Sequence, residues 1–205
     1  MTINGKIYAR KSMPLTVRYR LKTESKEEKS MFISSKEAEE RAVMDAAYKI
    51  CAAARTAPKA CGIDHLDTAI LTGEDKDKVA AEMRRLCGND EKNFMYRDAG
   101  NVDNSMAVVI IGVKEETRHL GKQCQLCHFE GCTACAEAGA CCVFDIIDLG
   151  IAIGSAVAAA ADMRIDNRVM YTVGKAASSL GLLGDYKTIM GIPLSVSGKS
   201  PFYDR

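Results

Sequence analysis

Between Cys124 and Cys142 the chain reads CQLCHFEGCTACAEAGACC, and six of its nine cysteines fall in those nineteen residues. Thiols that close together are joined to one another, exchange electrons as a dithiol, or bind metal. Disulfides form and persist in oxidising compartments. The first thirty residues, MTINGKIYARKSMPLTVRYRLKTESKEEKS, have no continuous apolar run of the kind a secretory signal needs. A thioredoxin-like pair uses one C-x-x-C, whereas two stand here, Cys124/Cys127 and Cys132/Cys135. Metal is the stronger reading.

Two metals compete. Two C-x-x-C pairs can supply the four thiolates of a tetrahedral zinc site. Zinc ribbons, however, separate their pairs by roughly 15–20 residues, and here only HFEG intervenes. Thiolates are also the ligands of iron–sulfur clusters, which a short wrapped loop can hold. Cys124-x2-Cys127-x4-Cys132 supplies three ligands, and the fourth comes from Cys135, Cys141 or Cys142. The plant-type [2Fe–2S] spacing is present at Cys127, Cys132 and Cys135, but its distant fourth cysteine has no counterpart after Cys142. The spacing therefore favours a [4Fe–4S] cluster, with structural zinc as the alternative.

With 205 residues and 47% apolar content, the chain can build one medium domain with a sizeable core. A formal net charge of +1 gives no sign of a nucleic-acid or membrane partner. Residues 1–30 carry eight Lys/Arg against three Glu, which marks them as a polar basic arm, expected to be poorly ordered. A polyanion-binding arm is the functional alternative. The most apolar stretch, LGIAIGSAVAAAA from Leu149 to Ala161, has 13 residues. It falls short of the ~20 needed to span a bilayer and reads as a buried core helix. These features point to a cytoplasmic protein, where thiols stay reduced.

Ser34-x-x-Glu37 is a capping box ahead of a helix that buries Val43, Ala46, Ala47, Ile50, Ala53 and Ala54 and ends at Pro58. A strand at Asp67–Gly73 and a helix around Val79, Met83 and Leu86 follow. GNDEKNFMYRDAGNVDN reads as a loop, and SMAVVIIGV (Ser105–Val113) as a central strand apolar on both faces. After the cysteine insertion come a helix from Phe144 to Met163, a strand at DNRVMYTVG, a short helix at GKAASSLGLL and a last strand at KTIMGIPLSV. Gly150 and Gly154 lie one turn apart, as for close approach of another backbone. The pattern is α/β, with helices around one sheet.

Little else carries chemistry. His128 sits inside the cysteine loop, while His65 and His119 have no discernible partner in sequence. Cys51 and Cys87 fall near helical core faces and act as small apolar groups, and Cys61 is the functional candidate among the outlying thiols. Asp145 and Asp148 share a helical face near the cysteines, as helix N-terminal charges or a proton relay. No acid/base or nucleophile–base pair suggests hydrolysis or group transfer.

CQLCHFEGC, CVFDIIDLGIAIGSAV, DNRVMYTVGKAA, GIPLSVSGKSPFYDR and the earlier AAARTAPKA resemble an uncharacterised prokaryotic family of ferredoxin-domain-containing proteins, from about Met31 to Arg205. In that family the last cluster cysteine precedes an apolar pair and I-I-D-L-G, which here is Cys142 before Val143 and Phe144. The resemblance thus implies Cys124, Cys127, Cys132 and Cys142 as ligands, with Cys141 or Cys135 as the alternative fourth. The order of elements and the turn Ala53–Pro58 also resemble nitroreductases. That resemblance implies a nitroreductase-like α+β sheet with flanking helices in residues 31–205, the iron–sulfur insertion at 121–145, a homodimer, and flavin mononucleotide (FMN) at the dimer interface. Lys59, Lys199 and Arg205 are the candidate contacts to the flavin phosphate, although no arginine precedes Ser34 or Ser35 where nitroreductases carry an Arg-x-Ser motif. The expected function is electron transfer with an unknown redox partner, or a flavin-assisted reductase reaction. A metal-stabilised binding module and an iron–sulfur redox sensor are the alternatives.

Overall fold

The computed structural model describes residues 32–203, so the basic arm at 1–30 and Arg205 lie outside the described residues. The first helix, α1 (Ser35–Thr56), starts where the capping box predicts. The Ser34 side chain accepts from the Glu37 N–H, and the helix buries Val43, Ala46, Ala47, Ile50 and Ala54. Pro58 follows its end, and the Lys59 ammonium donates to the carbonyls of Arg55 and Ala57 at 2.6 and 2.9 Å. A cation there satisfies carbonyls that the helix leaves unpaired and meets the negative end of its dipole.

The sheet is antiparallel in the order β1-β2-β4-β3, built from β1 (Leu66–Leu71), β2 (Ala107–Val113), β3 (Asp166–Asn167) and β4 (Thr188–Ser195). Leu66 pairs with Val113 at one end of β2, and Leu194 with Ala107 at the other. Every residue of β2 is buried, as its two-sided apolar pattern predicts. Ala107, Val109, Ile111 and Val113 point into a core shared with α1 and α5 (Val143–Asp162). Val108 and Ile110 point into a second core shared with α2 (Gly73–Leu86), α3 (Phe94–Asp103) and α6 (Tyr171–Ser179). The result is a sheet with helices on both faces. Each fully buried Ile or Val contributes about 1.5–3 kcal/mol by transfer from water.

Three local expectations need correction. The segment expected to be a loop at 88–104 contains α3, whose Asn93 cap accepts from the Met95 N–H. Met95, Ala99 and Val102 bury at helical spacing, but Gly100 and the polar Asp98 and Asn101 dilute the apolar signal. The strand expected across DNRVMYTVG is only β3 and a single bridge from Met170 to Gly191, and the chain turns helical at Tyr171. Gly150 and Gly154 meet no other backbone, and a Cβ on either would have nothing within 4 Å. The close approach lies elsewhere. A Cβ on Gly174 would stand 1.6 Å from the Ile189 carbonyl oxygen, and one on Gly191 would stand 2.1 Å from Val173. These two glycines let α6 lie directly on β4.

The helix α5 falls within one residue of the expected span at each end, but it is longer than its apolar run suggested. It starts at Val143, six residues before the apolar run, and its 20 residues are long and apolar enough to cross a membrane by length and composition. One face packs Leu149, Ala152, Ala156 and Ala160 into the core, whereas Ile146, Ile147 and Ile151 on the other face are exposed.

Candidate metal centre

The cysteine segment lies between β2 and α5. Left-handed backbone at His119, Gln125 and His128, with φ of 55°, 47° and 65°, folds it tightly. Gly131 rests on the Gly121–Lys122 backbone, where an added Cβ would come within 3.3 Å of Gly121 C. A short helix, α4 (Cys132–Glu137), follows, and Cys142 is the residue that opens α5.

This winding brings five thiols to one cavity. Cys124, Cys127, Cys132, Cys135 and Cys142 all line a space of about 340 Å³, counted with the part open to solvent. The four ligands implied by the family resemblance are thus together, along with the alternative Cys135. Cys141 does not line the cavity. Its Sγ contacts the Cys142 carbonyl oxygen at 3.5 Å, and burial, aided by Glu115 and Asp145, pushes the thiol up to about 11. Among the described residues, no three His, Cys, Asp or Glu side chains are grouped to hold a single metal ion. The five cysteines instead share the lining of one cavity.

Cys135 is buried, and burial raises its thiol pKa, with Cys127, Cys142 and Cys132 acting in the same direction. His128 is exposed and does not line the cavity.

Beside the thiols lies a buried ionic cluster. Arg118, in the segment after β2, also lines the cavity. Its Nη2 lies 2.7 Å from Asp145 Oδ1 in an ion pair and donates to Asp148 Oδ2 at 2.5 Å, and its Nη1 lies 2.5 Å from His65 Nδ1. Asp145 accepts from the Glu116 N–H at 2.9 Å, and Asp148 from the Ala60 N–H at 3.0 Å. His65 Nδ1 is 3.0 Å from Asp145 Oδ1, and its Nε2 is 3.3 Å from Glu116 Oε2. Burial raises the Asp145 pKa, opposed by His65, Arg118 and the Glu116 N–H. The cluster ties the start of β1, the turn after α1 and the first turns of α5 to the wall of the thiol cavity.

Sequence reasoning noted Asp145 and Asp148 but missed Arg118 and left His65 without a partner. One signal was available. Two aspartates three residues apart on a helix that otherwise buries apolar residues require a buried cation nearby.

The flavin-contact candidates are placed differently. The Lys59 ammonium is engaged with the end of α1, and it lies 4.0 Å from Asp64. Lys199 is in the C-terminal segment, where its carbonyl accepts from Ser197 Oγ at 2.5 Å. Cys61 is exposed in a left-handed conformation, with φ of 57°. Burial raises the Cys51 pKa, and Cys87 Sγ contacts the Arg84 carbonyl oxygen at 3.2 Å.

Comparison with known proteins adds four observations. The family described as uncharacterized protein containing a ferredoxin domain (DUF2148) matches residues 138–205. An uncharacterized protein of Archaeoglobus fulgidus is 41% identical over 183 residues, which span 85% of this chain and 98% of the relative. Among solved structures, an oxidoreductase containing FMN is similar with a TM-score of 0.53 and 13% identity, over 76% of this chain and 67% of that one. A nitroreductase with bound FMN from Bacteroides fragilis gives a TM-score of 0.52 and 11% identity, over 78% of this chain and 81% of the other. At these identities the likeness is one of fold, and the fold is nitroreductase-like.

Proposed function

The chain belongs to the family of uncharacterized proteins containing a ferredoxin domain, and from that premise we propose that it is an electron-transfer protein with one [4Fe–4S] cluster on Cys124, Cys127, Cys132 and Cys142. The observation that carries this reading is the gathering of these thiols around one cavity. A cluster supplies one-electron chemistry at a potential set by charge, hydrogen bonds to sulfur and solvent. The chain's own part is to hold four thiolates at fixed separation and to limit the approach of water. Cys142 is the fourth ligand in this proposal because it opens α5 at the cavity wall. Cys135 is a neighbouring thiol rather than a ligand.

The same reading includes a homodimer in the cytoplasm. Ile146, Ile147 and Ile151 are exposed on the outer face of α5, where Gly150 and Gly154 leave open space. A second copy laid against this face buries it without a membrane.

A flavin-dependent reductase is the second reading, favoured by the fold shared with FMN-containing structures. Lys59 does not fit the phosphate contact, since its ammonium is spent on the end of α1.

Anaerobic purification followed by assay of iron, sulfide and zinc, with a visible spectrum of the same sample, tests the proposal. About four irons and four sulfides per chain are expected for this cluster type, with broad absorption that bleaches on reduction. Flavin bands shift the reading to a reductase. Zinc without sulfide or colour overturns electron transfer and leaves a metal-stabilised binding module.

A further inference from the structure

Arg118 is the most constrained cation near the thiols, and two of its three nitrogens are accounted for. Nη1 faces His65, and Nη2 is shared between Asp145 and Asp148. Nε is buried and has no hydrogen-bond partner, a condition that among the described residues it shares only with Ser200 Oγ. Its side chain is 1% exposed. A buried N–H left unpaired is costly, and native structures avoid it. The residue lines the cavity that the five thiols surround.

We infer that the Arg118 Nε–H is a hydrogen-bond donor to the cluster, at a sulfide or a cysteinate sulfur, and that it raises the cluster's reduction potential. The inference rests on the cluster reading above. Sulfur carries more negative charge after a one-electron reduction, so an N–H directed at it stabilises the reduced state more than the oxidised one. The hydrogen bond rather than net charge is the lever. Asp145 and Asp148 pair with the guanidinium through Nη2 and hold the side chain at the cavity wall. Lysine at this position keeps the charge but has no Nε–H in that geometry.

The test compares the full-length, cluster-loaded wild type with Arg118→Lys. Both are titrated with dithionite and followed by electron paramagnetic resonance. Arg118→Lys is expected to lower the reduction equilibrium constant at least tenfold, equivalent to 59 mV for one electron. Wild-type protein carrying 15N-labelled arginine provides a second readout that needs no variant: a 15N coupling in the pulsed spectrum of the reduced cluster. An unchanged midpoint in an intact Arg118→Lys cluster overturns the inference. If Arg118→Lys fails to fold or load, the labelled wild type decides, and absence of the 15N coupling overturns the inference. Wild type without iron and sulfide overturns the cluster reading first, which separates the two failures.

Discussion

Arg118 Nη2 and Asp148 Oδ2 are 2.5 Å apart, with side-chain exposures of 1% and 2%. Removing one partner of such a pair leaves the other charge buried, which costs about 3–5 kcal/mol. Asp148→Ala is expected to lose about that much, because the Ala60 N–H also loses its acceptor. Chemical denaturation checks it, with Lys36→Ala as the control. Lys36 and Glu40 stand 4.0 Å apart on the surface of α1, and an exposed pair of this kind contributes about 0–1 kcal/mol.

Serine substitutions sort the thiols. Cys124→Ser, Cys127→Ser, Cys132→Ser and Cys142→Ser are expected to drop iron and visible absorption to background. Cys141→Ser, Cys51→Ser and Cys87→Ser are expected to match the wild type, since none of these lines the cavity. Cys135→Ser is expected to keep its iron as well. Loss of iron from Cys135→Ser together with retention in Cys142→Ser would reassign the fourth ligand.

Glycine substitutions separate close contact from open space. Gly174→Ala drives a Cβ into the Ile189 carbonyl, and overpacking of this kind costs about 1–3 kcal/mol or more. Gly100→Ala, in α3 with nothing within 4 Å, is expected to stabilise by about 0.5–1 kcal/mol through helix propensity. Thermal melts of the two variants should move in opposite directions.

Acid sensitivity has one identifiable source in Glu82. Arg85, followed by Ser179, lowers its carboxyl to about 2. A carboxylate depressed in the folded state contributes stability that is fully present above its ordinary value near 4.5 and is lost as pH falls toward about 2. Glu82→Gln is therefore expected to flatten the fall in stability between those limits. Denaturation midpoints at pH 5 and pH 3 check it, and equal slopes for variant and wild type would discount Glu82.

Ile147 and Ile151 are one turn apart on the open face of α5. If a second copy covers this face, Ile151→Glu buries an unpaired charge on association and is expected to yield a monomer. Sedimentation of the cluster-loaded protein reads this directly. A wild type that sediments as a monomer would remove the dimer.

Local pattern alone determined α1, β1, α2, β2, α5 and β4, because each has a period, a cap or a two-sided apolar run that needs no neighbour to be recognised. Cysteine spacing likewise restricted the centre to a few ligand sets before any geometry was known. Tertiary structure decided the rest. It put Cys135 in the cavity and left Cys141 outside, although Cys141 is next to Cys142 in sequence and Cys135 is seven residues away. It also joined His65, Arg118, Asp145 and Asp148, which come from separate elements and show no shared motif. The close approach of α6 to β4 at Gly174 and Gly191 was decided there too. The physical reason is the same in each case. A local period reflects interactions within about a turn of helix or a run of strand, whereas a buried ion cluster is fixed by the cost of leaving any one charge alone in the core.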